Sequence, residues 1–180
     1  MALDMNTDLT SNASSSPPSR KSLYPYLTYL GALPFVVSAV FLALGVHEVP
    51  VLGVDVYVLL ASYGTVIVSF MSGVHWGQSV GLGIHNTDAG SRFVHAALPL
   101  VSNIVTLVAW FSLLLAGARL HVAVLVIAFI SLLLIDGYLA KRNMISRAYF
   151  KMRVLVTAVV VISLLTSFTF VTNSLYSRGL

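Results

Sequence analysis

The chain has 180 residues, of which 58% are apolar and 9% charged, against roughly 25% charged in an ordinary soluble domain. Mean hydropathy is +0.92, the formal charge is +4, and there is no cysteine. These values exclude a soluble globular enzyme, a disordered chain, a disulfide scaffold and a thiolate metal site, and point to a membrane protein with little mass outside the bilayer.

Residues 1–22 are rich in Ser, Asn, Thr and Pro and read as a flexible polar tail, because they carry too little apolar surface to order. Five apolar runs follow, 23–46, 56–83, 94–117, 120–140 and 154–171. Each reaches the roughly 17–25 residues that a spanning helix needs. Backbone groups in lipid have to bond within their own segment, so the runs are expected to be helices. Alternating barrel-type strands are absent. The expected fold is therefore an all-α bundle of five transmembrane helices, with a short tail at 172–180. The first run is too long for the core of a signal peptide and reads as an uncleaved anchor. Pro34 is expected to kink it. Only Ala118 and Arg119 separate the third and fourth runs, so those helices should be tight antiparallel neighbours.

Orientation follows from the positive charges. Eight of them (Arg20, Lys21, Arg92, Lys141, Arg142, Arg147, Lys151 and Arg153) fall on one side, and only Arg119 and Arg178 on the other. The eight-charge side is expected to be the cytoplasm, placing the N-terminus inside and the C-terminus outside. Lys141, Arg142, Arg147 and Lys151 also form a candidate contact for anionic lipid. A nucleic-acid partner is not expected, because the basic residues are juxtamembrane and no recognition fold is present.

The second run carries the strongest pattern. Thr65, Ser69, Gly73, Gly77 and Gly81 recur every four residues, and small residues at that spacing form a groove for another helix backbone. Beside them runs a weakly polar stripe containing Ser62, Ser72, His75, Trp76 and Ser79. Asp136 lies in the fourth run, five residues before Lys141 and hence roughly 7 Å inside the cytoplasmic edge. No basic residue stands at i+3 or i+4, so its partner has to come from another helix or from water. His75 has a similar depth, and Arg153 opens the fifth run from the same side. The three are expected to meet in one polar cluster, with Trp76, Gln78, Ser72 and Asn103 as neighbouring candidates. Asn103 is expected to bond a neighbouring helix. A bis-histidine haem between His75 and His95 is a minor reading. No metal site and no cofactor are expected.

The stretch Tyr63–Gly64, Phe70–Met71–Ser72–Gly73–Val74–His75–Trp76–Gly77 resembles the GxxHWG signature of a bacterial domain-of-unknown-function family of small integral membrane proteins, similar to animal transmembrane protein 69. Leu30–Gly31–Ala32–Leu33–Pro34–Phe35, Ala97–Leu98–Pro99, Asp136 and Ala148–Tyr149–Phe150–Lys151–Met152–Arg153 support the likeness in the same order along the chain. The resemblance implies a five-helix protein of the bacterial inner membrane, or a mitochondrial relative. It implies no activity.

Two functions compete. The first is a non-catalytic accessory, assembly or interaction component, acting as a homo-oligomer or within a larger membrane complex. Thin loops, the packing groove and few intramembrane charges support it. The alternative is a small proton- or ion-linked transporter or channel using His75, Asp136 and Arg153. An embedded enzyme ranks third, since no HExxH, Ser/Lys dyad or phosphate loop is present.

Overall fold

A computed structural model describes the backbone of residues 24–49, 53–85 and 89–177, and the side chains of 26–49, 53–80 and 94–170. The polar tail 1–22 and the surroundings of Gly81, Arg92 and Arg178 lie outside the described residues. Five long helices are present: α1 Tyr24–Ala43, α2 Val56–His85, α3 Ala89–Leu115, α4 Ala118–Lys141 and α5 Arg147–Ser177. All five are long and apolar enough to cross a membrane. A small antiparallel hairpin, β1 Glu48–Val49 with β2 Val54–Asp55, joins α1 to α2. Neighbouring contacts run α1–α2–α3–α4–α5 and back to α1, with α2 also touching α4 across the ring.

The helix ends follow local chemistry, and several differ from the hydropathy boundaries. α1 stops at Ala43 rather than at residue 46. Gly45 adopts φ +77°, Val46 N–H bonds Phe41 O at 2.8 Å and Gly45 N–H bonds Leu42 O at 3.1 Å. That pair of bonds is the Schellman stop, which needs a left-handed residue. α2 starts where Asp55 caps it, accepting from Tyr57 N–H at 2.7 Å and Val58 N–H at 3.2 Å. The end of α4 repeats the α1 arrangement. Asn143 has φ 56°, with Met144 N–H on Leu139 O at 2.9 Å and Asn143 N–H on Ala140 O at 3.1 Å. Met144 and Ile145 then pack against Leu139.

α5 begins at Arg147, not at residue 154, so Arg147, Lys151 and Arg153 are helical rather than in a loop. Ser146 starts it by accepting from Tyr149 N–H at 3.2 Å. The hydropathy reading stopped at the charges, although a helix tolerates exposed positive residues in its first turns. α5 also runs on to Ser177, past the expected end at residue 171.

Pro34 and Pro99 both lie inside continuous helices. Proline at 99 removes the donor that would satisfy the carbonyl of His95 four residues earlier. Ser79 on α2 supplies a replacement, its Oγ donating to His95 O at 2.9 Å. The core is a layer of Phe35, Leu60, Val68, Leu125, Phe129, Leu132 and Leu164, each no more than 1% exposed. Phe35 meets Phe129 edge-on with centroids 5.7 Å apart, and it tilts against Tyr63 at 5.2 Å.

Candidate functional site

Three helices bring one ion cluster together. His75 on α2 donates from Nε2 to Asp136 Oδ1 on α4 at 3.0 Å. Arg153 on α5 donates from Nε to Asp136 Oδ2 at 2.8 Å. Exposures are 0% for Asp136, 1% for His75 and 3% for Arg153, so the cluster is buried within the bundle. Each carboxylate oxygen takes a different donor, and both distances lie in or close to the charge-assisted range of about 2.7–2.9 Å. The Arg153 guanidinium also points Nη1 at the thioether of Met71, a weak acceptor.

Around this cluster several buried polar atoms have no partner: His75 Nδ1, Ser72 Oγ, Gln78 Oε1 and Thr157 Oγ1. Thr157 follows Arg153 by one turn on the same face of α5. Next to it lies a cavity of about 770 Å³, walled by α1, α2 and α5, with Phe129 of α4 in its lining. Its lining is almost entirely apolar apart from Thr28, Gln78, Arg153, Thr157 and the Ser146–Tyr149 corner. Leu27 and Phe70 line it too and are 64% and 65% exposed, so the cavity opens sideways between helices.

Other candidates do not join the cluster. Trp76 is 45% exposed and faces outward. Asn103 is exposed and bonds no neighbouring helix among the described residues; successive turns of α3 turn Ser102 inward instead, where its Oγ donates to Leu98 O at 2.6 Å. The small-residue groove is also corrected. Gly73 and Gly77 are exposed, and a Cβ built on either would meet nothing within 4 Å. Ser69 is only half-buried. The face of α2 that packs is offset by one residue, through Gly64, Val68, Ser72, His75 and Ser79. Gly64 is the glycine that close packing requires: a Cβ there would lie 2.7 Å from Leu125 Cδ1. His95 pairs with Ser79: its Nδ1 lies 3.1 Å from Ser79 Oγ.

A second polar site went unread in the sequence. His121, one turn into α4, is 1% exposed. Its Nδ1 lies 2.8 Å from Ser112 Oγ, and its Nε2 lies 3.4 Å from both Thr65 Oγ1 and Ala61 O. The available signal was a histidine directly after Arg119–Leu120, with Ser112 a short turn away. This site and the ion cluster sit at opposite ends of α4, about 22 Å apart along the helix. Between them lies the apolar layer of Val68, Leu125, Phe129 and Leu132.

An all-helical chain of five apolar spans, holding a buried ion cluster in one half, defines the class: a multi-pass membrane protein. More particularly, the chain belongs to the family described as "Protein of unknown function (DUF3429)", which matches residues 21–169. No curated protein and no solved structure matches the chain. Around the histidine the chain itself reads Gly73–Val74–His75–Trp76–Gly77, with one residue rather than two between glycine and histidine.

Proposed function

We propose that this protein is a non-catalytic component of a membrane assembly, in which the His75–Asp136–Arg153 cluster fastens α2, α4 and α5 into a fixed scaffold. The observation that carries this reading is the closed accounting of Asp136. Both carboxylate oxygens are taken by donors from two other helices, and an apolar layer separates the cluster from the polar site around His121. Within this reading the positively charged side faces the cytoplasm of a bacterial inner membrane. Exposed Lys141, Arg142, Arg147 and Lys151 then meet anionic lipid headgroups, and Arg142 rests over the Tyr138 ring at 5.3 Å. The likeness to animal transmembrane protein 69 belongs to the same proposal, as does a larger complex or homo-oligomer as the working state.

The alternative, a small proton- or ion-linked carrier, draws on the buried His75 Nδ1, Ser72 Oγ and Thr157 Oγ1, none of which has a hydrogen-bond partner. One experiment separates the two. The full chain is reconstituted into proteoliposomes loaded with a pH-sensitive dye, and membranes solubilised in mild detergent are run on native gels. A scaffold gives no flux at any pH and a native mass above that of the 19.3 kDa chain. A proton flux abolished by Asp136→Asn would establish the carrier and refute the scaffold.

A further inference from the structure

The geometry points to a binding site for an uncharged, single-chain lipid whose head carries a hydroxyl or ester carbonyl, lodged in the cavity between α1, α2 and α5. We infer this from four features that the scaffold role does not use. The cavity, about 770 Å³, falls within the roughly 300–1,000 Å³ of small-molecule sites. It opens past Leu27 and Phe70, both exposed on the lipid side, so a lipid enters from the bilayer without crossing water. Its walls, including Ile67, Val156 and Val160, match an acyl chain.

Polar groups that line the cavity are left without protein partners. Gln78 Oε1 and Thr157 Oγ1 are buried and make no hydrogen bond, and Thr157 is 3% exposed. Buried polar atoms are almost always satisfied, and an exception marks an unoccupied partner position. Arg153 adds a guanidinium N–H whose present acceptor is only the Met71 sulfur. A glycerol head carries two hydroxyls and an ester carbonyl, so separate groups of one head can meet the Gln78 acceptor and the Thr157 hydroxyl.

Charge decides against an anionic head. The Arg153 charge is already opposed by Asp136 at 2.8 Å, and a second anion would be desolvated next to that carboxylate. A fatty acid or an anionic phospholipid is therefore disfavoured at this position, whereas a monoacylglycerol or long-chain alcohol adds no charge.

The test uses the full chain in nanodiscs with a diazirine-bearing 1-monoacylglycerol as the probe and peptide mapping as the readout. Crosslinks are expected on cavity-lining segments around Met71–Val74 and Val156–Val160. Unlabelled monooleoylglycerol should displace the probe at least about tenfold more effectively than oleate or dioleoylphosphatidylglycerol. Thr157→Val should weaken labelling about five- to tenfold, the scale of one lost hydrogen bond. It should not lower thermal stability, because the Thr157 hydroxyl bonds nothing in the free protein. Gln78→Leu gives an independent second reading with the same expected direction. The proposal falls if labelling is absent or maps outside the cavity, if oleate or phosphatidylglycerol competes equally well, or if neither variant alters labelling. Disulfide crosslinks between copies through a single introduced cysteine, Val74→Cys, in place of lipid adducts would identify a second copy as the occupant and overturn it as well.

Discussion

Removing Arg153 from its pair with Asp136 is the perturbation that best probes the bundle. Arg153→Met keeps most of the side-chain volume and deletes the charge, leaving Asp136 at 0% exposure with His75 as its remaining donor. Breaking a buried pair by removing one partner costs about 3–5 kcal/mol in soluble proteins. Neutral polar contacts between membrane helices average only about 0.6 kcal/mol, since separated helices in lipid find other partners. Asp136 lies near one edge of its span and can reach water when the helices part, which lowers the soluble figure. A full charge at 2.8 Å keeps it above the neutral one, so about 3 kcal/mol is expected. At about 2–4 °C per kcal/mol for a chain of this size, the midpoint should drop by roughly 6–12 °C. The assay is the monodisperse fraction surviving a heating series in detergent, read by size exclusion. Asp136→Leu combined with Arg153→Met should recover much of that loss, because an apolar pair leaves no orphaned carboxylate, but stay about 1–3 kcal/mol below the parent, because the buried His75 Nε2 loses its acceptor. If the effects of Arg153→Met and Asp136→Leu simply add, to within about 0.5 kcal/mol, the two residues are not energetically coupled and the reasoning fails.

Three further outcomes are expected. Gly64→Ala should destabilise by about 1–3 kcal/mol, as Leu125 is buried and has little room to yield, while Gly73→Ala and Gly77→Ala, with open space around them, should be neutral or slightly stabilising in the same heating assay. His121→Leu should cost only about 1 kcal/mol, because Thr65 and Ser112 each retain a helical carbonyl acceptor, Ala61 O and Ala109 O; a loss as large as that of Arg153→Met would make the His121 site equally central. Reporter tags on the two termini should fall on opposite faces of the membrane, and finding both on one face would contradict five crossings.

The five helices were legible because each apolar run is long enough to satisfy its own backbone in lipid, and that constraint leaves one option. Their ends were less legible: the start of α2 at Val56 matched the apolar run, but Gly45, Asn143 and Ser146 carried stop and start chemistry that hydropathy overlooks. The meeting of His75, Asp136 and Arg153 followed from matched depth on one side of the bilayer, a one-dimensional argument that works for spanning helices. Which side of a helix faces inward did not follow as well. Gly73 and Gly77 share a stripe with Thr65, yet the buried face of α2 passes through Gly64 and Val68. Small size is compatible both with close packing and with exposure to lipid, so the pattern alone does not choose. Asn103 failed for a related reason: one turn of α3 offers Ser102 or Asn103 to the interior, and the smaller hydroxyl, able to bond its own helix, fits there.

The short connection from Lys141 to Arg147, held by the Asn143 stop and the Ser146 start, also bears on how the chain enters its membrane. Inserted by itself, a helix bearing a mid-span Asp or Arg meets a penalty of about 2.5–3.5 kcal/mol, reduced toward the edge. Here the two buried opposite charges sit on consecutive helices joined by a tight corner, so α4 and α5 can partition into the bilayer with Asp136 and Arg153 already paired. Lengthening that corner would leave every contact of the finished bundle available, yet would delay neutralisation during biogenesis, when the segments first leave the aqueous phase.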